Sequence, residues 1–225
     1  MKFDLEHDWQ GNMSTPRKNL GEKTKLHLFF VLSLIFLSTG LIGHEPWRPL
    51  ESTSISIILD IIQNNQVILP MAASENIIAH PPLYSYVAAA FGKLFSPILP
   101  LHDAARLSNI FWLALTLISL GLITRELWGQ GFGRQAGLLF IGSVGLILNI
   151  HSLIPEIATL LGYTMALYAF SLYFRRPFRA SMVLGFGSGI AFLSGGIIPL
   201  IVIFLSSIFL LIFTNRRNKR YFIFL

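Results

Sequence analysis

Residues 43–101 read GHEPWRPLESTSISIILDIIQNNQVILPMAASENIIAHPPLYSYVAAAFGKLFSPILPL, and this stretch lies between one apolar run and a series of others. It holds most of the polar residues that could take part in chemistry, whereas the flanking runs are nearly free of charge. Of the 225 residues of the chain, 53% are hydrophobic and only 12% are charged, which is outside the usual composition of soluble domains. The sequence therefore predicts an integral membrane protein that holds this loop at the membrane surface.

The apolar runs predict helices. They are continuous over about 15 to 20 residues, as membrane helices are, and do not alternate as the strands of a membrane barrel do. The chain has no cysteine, which excludes a disulfide framework and a thiolate site. Its formal charge of +6 comes from Lys and Arg in short clusters beside the apolar runs, where orientation signals lie, so nucleic acid is not an expected partner. The predicted fold class is an all-α, polytopic membrane protein.

The first predicted span follows a polar segment. Residues 1–25 are mixed in charge and are predicted to form a cytoplasmic N-terminal tail. The apolar run 26–43 comes next, and because no small-residue cleavage site follows it, we expect an uncleaved membrane helix. The membrane domain is predicted to extend over 26–214, with an outer loop at 44–103.

Basic clusters set the direction of the later spans, because cytoplasmic loops are enriched in Lys and Arg. Three clusters are expected on one side: Arg125 with Arg134; Arg175 with Arg176 and Arg179; and Arg216, Arg217, Lys219 and Arg220. Spans at 104–123, 132–150 and 157–174 satisfy this condition. They alternate in direction and leave the basic clusters in the cytoplasm.

The uncharged stretch 180–214 is too long for one span. As a single helix it would measure about 52 Å, against a hydrocarbon core of ~30 Å. A break near Gly195, Gly196 and Pro199 is predicted instead, which gives a hairpin of two spans and six spans in all. Both termini are then cytoplasmic, and every Lys and Arg shares that side except Arg48, Lys93 and Arg106.

Residues 215–225 form a basic cytoplasmic end in this arrangement. The last five residues, YFIFL, look like the start of another apolar segment. We therefore expect the chain to be the N-terminal half of a longer protein, a degenerate product, or a short partner of a second polypeptide.

Two short helices are predicted within the outer loop. Residues 83–96 follow a double proline and are helical in pattern, but they reach only ~21 Å, so we expect them at the membrane interface. Residues 50–64 place apolar side chains on one helical face and polar ones away from it, as interfacial helices do. The many β-branched residues of 50–64 also allow a strand.

The loop resembles that of a known family. The run PLESTSISIILDIIQNNQVILP at 49–70, followed by HPPLYSY at 80–86, resembles the first outer loop of the PMT-type glycosyltransferases of the GT-C superfamily. The closest class is that of the bacterial aminoarabinose-transferase-like and protein mannosyltransferase-like enzymes. The resemblance continues through 104–129, 155–173 and 185–196, so it covers nearly the whole chain.

This resemblance implies an enzyme, or its N-terminal portion, that transfers a sugar from a polyprenyl-phosphate donor to an acceptor outside the plasma membrane, which is the inner membrane in bacteria. The lipid-linked sugar donor and membrane lipids would be its partners, and a partner polypeptide would supply further spans. The alternative is a non-catalytic or degenerate membrane subunit that binds lipid or a partner helix bundle. A transporter fits poorly because the spans contain almost no ionisable residues.

The resemblance also implies roles for particular residues. Glu51 in the loop and Glu156 at the outer end of the fourth span are the candidate catalytic residues, since a positioned carboxylate can accept the proton of the acceptor hydroxyl. His80, Tyr84 and Arg48 are the candidate substrate-binding residues, because a leaving lipid phosphate needs basic and polar partners.

The chain departs from the family pattern at three loop positions. The family's Asp before Glu51 is Leu50, and its Glu-Lys before the double proline is Ala79-His80. Leucine cannot accept a proton, and histidine is charged only near its pKa of about 6.5.

The candidate residues also have ordinary structural interpretations. Glu51 would favour a helix start, Glu156 would mark a solvated boundary, and His80 would be an exposed loop residue. The histidines near the predicted outer ends of spans show no metal-ligand spacing, so no metal-binding residue is assigned and a divalent metal cofactor stays open. These histidines are His44, His102 and His151.

Overall fold

The computed structural model describes residues 21–43, 45–46, 50–64, 81–129, 131–143, 145, 149 and 151–213. Within these ranges the chain forms eight helices and no strand, which confirms the all-α prediction for this part of the protein. The helices are α1 (Glu22–Ser38), α2 (Leu50–Asn64), α3 (Leu83–Phe95), α4 (Leu101–Trp128), α5 (Gly133–Ile141), α6 (Glu156–Leu172), α7 (Pro177–Gly195) and α8 (Ile197–Phe213). The predicted basic end at 215–225 and most of the predicted tail lie outside the described residues.

Two of these helices, α4 and α7, are long and apolar enough to cross a membrane. The apolar helices α6 and α8 have 17 residues each, or about 26 Å of helix. Helices α4 and α6 occupy the positions predicted for spans at 104–123 and 157–174. The predicted break is also confirmed, since α7 ends at Gly195 and the chain turns at Gly196 with a φ of 78°.

The region predicted as the third span, 132–150, is not one continuous helix, so the prediction of an unbroken helix here was wrong. Helix α5 ends at Ile141, where Gly142 follows, and glycine is a poor helix former. The first helix also ends earlier than predicted. It stops at Ser38, and Gly40 then turns the chain with a φ of 79°.

Contacts between helix termini show that α4 runs in the opposite direction to α1 and α5. At one end, which we call the loop end, the backbone N–H of Gly43 after α1 donates to Asp103 in the first turn of α4 (3.2 Å). At the other end, the basic end, Lys23 of α1 lines one pocket with Arg125 of α4 and Arg134 of α5. These three cations share one end, as the charge pattern predicted.

Helices α6 and α7 pack through small residues that lie four positions apart on each helix. A Cβ atom built on Gly162 would be 2.7 Å from Cβ of Ala191, and one built on Gly187 would be 3.0 Å from the carbonyl oxygen of Gly162. Such close approach of two backbones is typical of helix pairs in membranes. It brings the loop-end termini of α6 and α7 together.

Many large apolar side chains of the described residues are exposed. Ile98, Leu139 and Phe178 are 80%, 76% and 72% exposed. Soluble monomers rarely expose extended apolar surface, whereas lipid accommodates it. The structure and the composition therefore agree on a membrane protein.

Both loop segments are helical, which confirms the two short helices and decides against a strand at 50–64. Ile58 of α2 and Tyr84 and Ala88 of α3 are buried in the same core as Leu113 of α4 and Leu161 of α6. The loop helices thus pack onto the bundle, and this packing places their polar residues among the helix starts at the loop end.

Candidate functional site

A buried ion-pair network lies at the loop end. Nε and Nη2 of Arg106 lie 3.3 and 3.2 Å from the two carboxylate oxygens of Glu51, and Nη1 lies 2.9 Å from Asp103. The exposed fraction of the Arg106 side chain is 0%, and those of Glu51 and Asp103 are 1% and 4%. A buried charge is tolerated when it is paired and hydrogen-bonded, as each of these groups is.

The network joins segments that are distant in sequence. The backbone N–H of Leu153, just before α6, donates to Oε1 of Glu51 at 2.8 Å. Asp103 accepts from Gly43, which connects the end of α1 to the start of α4. The network has two carboxylates and one arginine. The two backbone N–H groups therefore supply hydrogen bonds that Arg106 alone does not provide. The network therefore fixes the positions of α2, of Gly43 after α1 and of the segment before α6 relative to α4.

Tyr84 of α3 lies beside this network and is fully buried. Its hydroxyl donates to Oδ1 of Asn109 (2.8 Å), and Nδ2 of Asn109 donates to the carbonyl oxygen of Ser152 (2.9 Å). Burial raises the pKa of Tyr84 above its ordinary value, and the negative charges of Glu51 and Glu156 act in the same direction. Tyr84 therefore keeps its proton and ties α3 to α4 and to the segment before α6.

A pocket of about 280 Å³ opens at the same end, between α6 and the α7–α8 turn. It is lined by Glu156, Thr159, Leu160, Tyr163, Ser194, Gly195, Ile198 and Pro199. Glu156 is the first residue of α6 and is exposed. Ser194 is fully buried, and its hydroxyl has no hydrogen-bond partner among the described residues. The pocket thus combines an accessible carboxylate with a hydroxyl that can bond to a ligand.

Tight packing forms one wall of this pocket. A Cβ atom built on Gly195 would be 2.7 Å from the hydroxyl oxygen of Thr159 and 2.6 Å from Cγ of Pro199. A Cβ atom built on Gly196 would be 3.8 Å from Cδ of Pro81, so the double-proline turn lies beside the α7–α8 turn. The start of α3 therefore adjoins the pocket.

The sequence-predicted residues fall into three groups. Glu51 and Tyr84 lie together in the buried cluster around Arg106, and Glu156 lies at the pocket. Arg48 and His80 lie outside the described residues, and so do the side chain of Leu50 and Ala79.

Four residues of these clusters have no role predicted from the sequence: Asp103, Arg106, Asn109 and Ser194. For Arg106 a signal was present, because an arginine with an aspartate three residues earlier at the start of an apolar helix needs a carboxylate partner. For Ser194 there was no signal, since isolated serines are common in apolar helices.

Within the described residues, no group of three or more His, Asp or Glu side chains is placed to hold a metal ion. Nε2 of His151 instead lies 3.2 Å from the backbone oxygen of Phe36, and Nε2 of His102 lies 3.5 Å from Asp103. His44 is outside the described residues.

Comparison with known proteins supports the resemblance. A family model described as dolichyl-phosphate-mannose-protein mannosyltransferase matches residues 79–225, which is about two thirds of the chain. The match begins at the double-proline turn and includes α3 to α8. No curated protein and no solved structure matches the chain.

Proposed function

Because the chain belongs to the dolichyl-phosphate-mannose-protein mannosyltransferase family, we propose that it is a membrane glycosyltransferase, or the N-terminal portion of one, that takes its sugar from a polyprenyl-phosphate donor. The acceptor receives the sugar at the outer face of the bacterial inner membrane. One observation carries the proposal beyond the family: the exposed Glu156 and the buried Ser194, whose hydroxyl has no hydrogen-bond partner in the described part of the chain, line one pocket at the loop end.

The membrane arrangement of this proposal has six spans. They are α1, α4, the predicted third span at 132–150 that begins with α5, α6, α7 and α8, while α2 and α3 lie at the outer interface. The basic end faces the cytoplasm, as does the N-terminus. The common position of Lys23, Arg125 and Arg134 supports this orientation, because cytoplasmic loops are enriched in cations.

Glu156 is the proton acceptor in the proposed reaction. The acceptor hydroxyl oxygen attacks the anomeric carbon of the donor, the bond from that carbon to the phosphate oxygen breaks, and the polyprenyl phosphate leaves with the bonding electrons. The hydroxyl proton passes to the carboxylate of Glu156, whose exposure at the pocket leaves it free to approach a substrate. Ser194 donates a hydrogen bond to the bound sugar or phosphate.

The donor phosphate is proposed to lie near the start of α3. His80 directly precedes Pro81, whose Cδ is beside Gly196 at the edge of the pocket. A histidine and an arginine in this loop, His80 and Arg48, would supply the positive charge that a leaving phosphate needs.

Glu51 and Tyr84 are assigned positioning roles in this proposal. Both oxygens of Glu51 already accept hydrogen bonds from Arg106, and one also accepts from Leu153, so little capacity is left for a substrate proton. The hydroxyl of Tyr84 likewise donates its hydrogen bond to Asn109. Together they hold α2, α3 and the segment before α6 around the pocket.

A second candidate function is a non-catalytic subunit that binds the lipid donor or a partner helix bundle without transferring sugar. The observation that favours it is Leu50, which occupies the position where the resembling family has an aspartate. An enzyme that depends on that aspartate would be inactive with leucine in its place.

The test uses the full chain in lipid nanodiscs with a radiolabelled polyprenyl-phosphate sugar, and it measures donor binding and release of polyprenyl phosphate separately. We expect Glu156→Gln to abolish release while donor binding persists. Glu126→Gln is the matched control, because Glu126 lies at the basic end, where it pairs with Arg175. Equal release by Glu156→Gln and the unmodified chain would remove Glu156 from the reaction.

A triple variant separates the two functions. The first possible result is that the chain binds the donor but releases no polyprenyl phosphate, while the variant Leu50→Asp, Ala79→Glu, His80→Lys does release it. The chain is then a degenerate enzyme. If donor binding and release are absent in both forms, the glycosyltransferase proposal is overturned.

A further inference from the structure

The basic end carries a second pocket that the proposed transfer reaction does not use. Its volume is about 650 Å³, and it opens widely to the surroundings. It is lined by Lys23, Leu26, Gly121, Arg125, Gly131, Gly133 and Arg134. The lining therefore comes from three helices, α1, α4 and α5, and from the connection between the last two.

All ionisable residues that the structure describes in this lining are cations. Lys23 lies in the first turn of α1, Arg125 in the last turn of α4 and Arg134 in the first turn of α5. Glu126, next to Arg125, pairs with Arg175 at 3.4 Å and is not part of the lining. Three positive charges around one cavity repel one another and produce a positive potential that an anion relieves.

The backbone adds to this potential. Gly133 is the first residue of α5, and no side chain caps the N-terminus of this helix. The first-turn N–H groups and the positive end of the helix dipole therefore border the pocket, an arrangement that favours a phosphate. Gly131 has a φ of 105°, and a Cβ atom built on it would meet nothing within 4 Å, so the backbone of the connection is accessible.

Exposed apolar side chains lie in the lining or next to it in the sequence, and we call them the apolar rim. Leu26 is a lining residue and is 58% exposed. Leu127, Trp128 and Phe132, which lie in the sequence between the lining residues Arg125 and Gly133, are 52%, 64% and 45% exposed. Tryptophan is enriched at the level of lipid head groups, where its ring faces the chains and its N–H faces water. A soluble anion would make no use of this rim, whereas a lipid would cover it with its acyl chains.

We propose that this pocket binds the phosphate head group of an anionic phospholipid from the membrane leaflet at the basic end. The three cations and the start of α5 hold the phosphate, and the exposed apolar side chains contact the acyl chains. Basic pockets between membrane helices suit such head groups. This inference is independent of the transfer reaction at the loop end.

The test places the full chain in nanodiscs of phosphatidylcholine with a minor fraction of fluorescent phosphatidylglycerol and measures lipid binding by energy transfer from the tryptophans. We expect Arg125→Gln, Arg134→Gln to weaken phosphatidylglycerol binding about fivefold per removed cation. The matched control is Arg176→Gln, Arg179→Gln, which removes two exposed cations outside the pocket lining. It should bind as the unmodified chain does.

Three results would overturn the proposal. Equal weakening by the control pair would reduce the effect to general surface charge. Retained binding by the pocket variant would exclude the pocket. Displacement of the lipid by inorganic phosphate at the same concentration as by a soluble short-chain phosphatidylglycerol would show that the apolar rim contributes nothing. Because the glutamine pair could impair folding, Arg125→Lys, Arg134→Lys is measured alongside and should retain binding.

Discussion

Arg106 donates to both carboxylate oxygens of Glu51, although 55 positions separate these residues in the sequence. The pair is buried and the same guanidinium also bonds to Asp103, so one cation contacts both buried carboxylates. Glu51 in turn holds the segment before α6 through Leu153. The geometry of the candidate site therefore depends on a residue that does not line it.

Replacing Arg106 is expected to destabilise the protein strongly. Arg106→Gln removes the cation that contacts the buried carboxylates of Glu51 and Asp103, which costs about 3 to 5 kcal/mol. The apparent melting temperature of the chain in detergent measures the effect. Arg179→Gln, which removes an exposed arginine, should change that temperature very little. A small effect at Arg106 would mean that the ion pair is not buried in the folded protein.

Removing one hydroxyl should also be measurable. Tyr84→Phe leaves Oδ1 of Asn109 without its donor in a buried site, with an expected cost of about 1 to 3 kcal/mol. Tyr168→Phe is the control, because Tyr168 is only partly buried. Thermal unfolding of the two variants in the same detergent provides the comparison. Equal melting temperatures would contradict the buried hydrogen bond.

The raised pKa of Tyr84 predicts a loss of stability at alkaline pH. Below the ordinary tyrosine pKa of about 10, the phenol is neutral in both the folded and the unfolded chain, so its contribution is complete. Above that pH the unfolded chain loses the proton while the folded chain keeps it, so stability falls as pH rises.

Melting temperatures between about pH 8 and 11 test this linkage. The decline should be shallower in Tyr84→Phe than in the unmodified chain, and Tyr168→Phe should keep the steeper decline. Identical profiles for all three proteins would show that Tyr84 ionises as an exposed tyrosine does.

Two glycines of α7 should respond oppositely to alanine. At Gly187 the new methyl group would lie 2.9 Å from Cβ of Met165 and 3.0 Å from the backbone of Gly162, so Gly187→Ala should separate α6 from α7 and lower stability. At Gly189 nothing lies within 4 Å, so Gly189→Ala should be neutral or should stabilise the helix by up to ~1 kcal/mol. A lower melting temperature for Gly189→Ala than for Gly187→Ala would contradict the close packing of α6 against α7.

The sequence was sufficient for features that local chemistry determines. The break at Gly196 was predictable because a long uncharged stretch contained two glycines and a proline, and the helix at 50–64 followed from its apolar face. The third span was predicted too long, because hydropathy does not register how strongly Gly142 favours the end of a helix. Helix ends depend on such single residues.

The site was predictable only in part. Glu51, Tyr84 and Glu156 were identified because they lie in segments that resemble a family, but their separation into a buried cluster and an open pocket was not. That separation depends on Arg106 and Ser194, whose partners, or lack of them, arise from packing between distant segments. Local patterns carry no information on such contacts.

The bond between Glu51 and the backbone of Leu153 also constrains biosynthesis. Proteins are made from the N-terminus, and these two residues are 102 positions apart. Arg106 is made before Leu153. Glu51 and Arg106 are therefore both synthesised before the backbone N–H of Leu153 that donates to Glu51. During that interval the carboxylate must obtain its remaining hydrogen bond from water or lipid head groups. This end of the bundle therefore cannot reach its final hydrogen bonding until the chain has been made as far as Leu153.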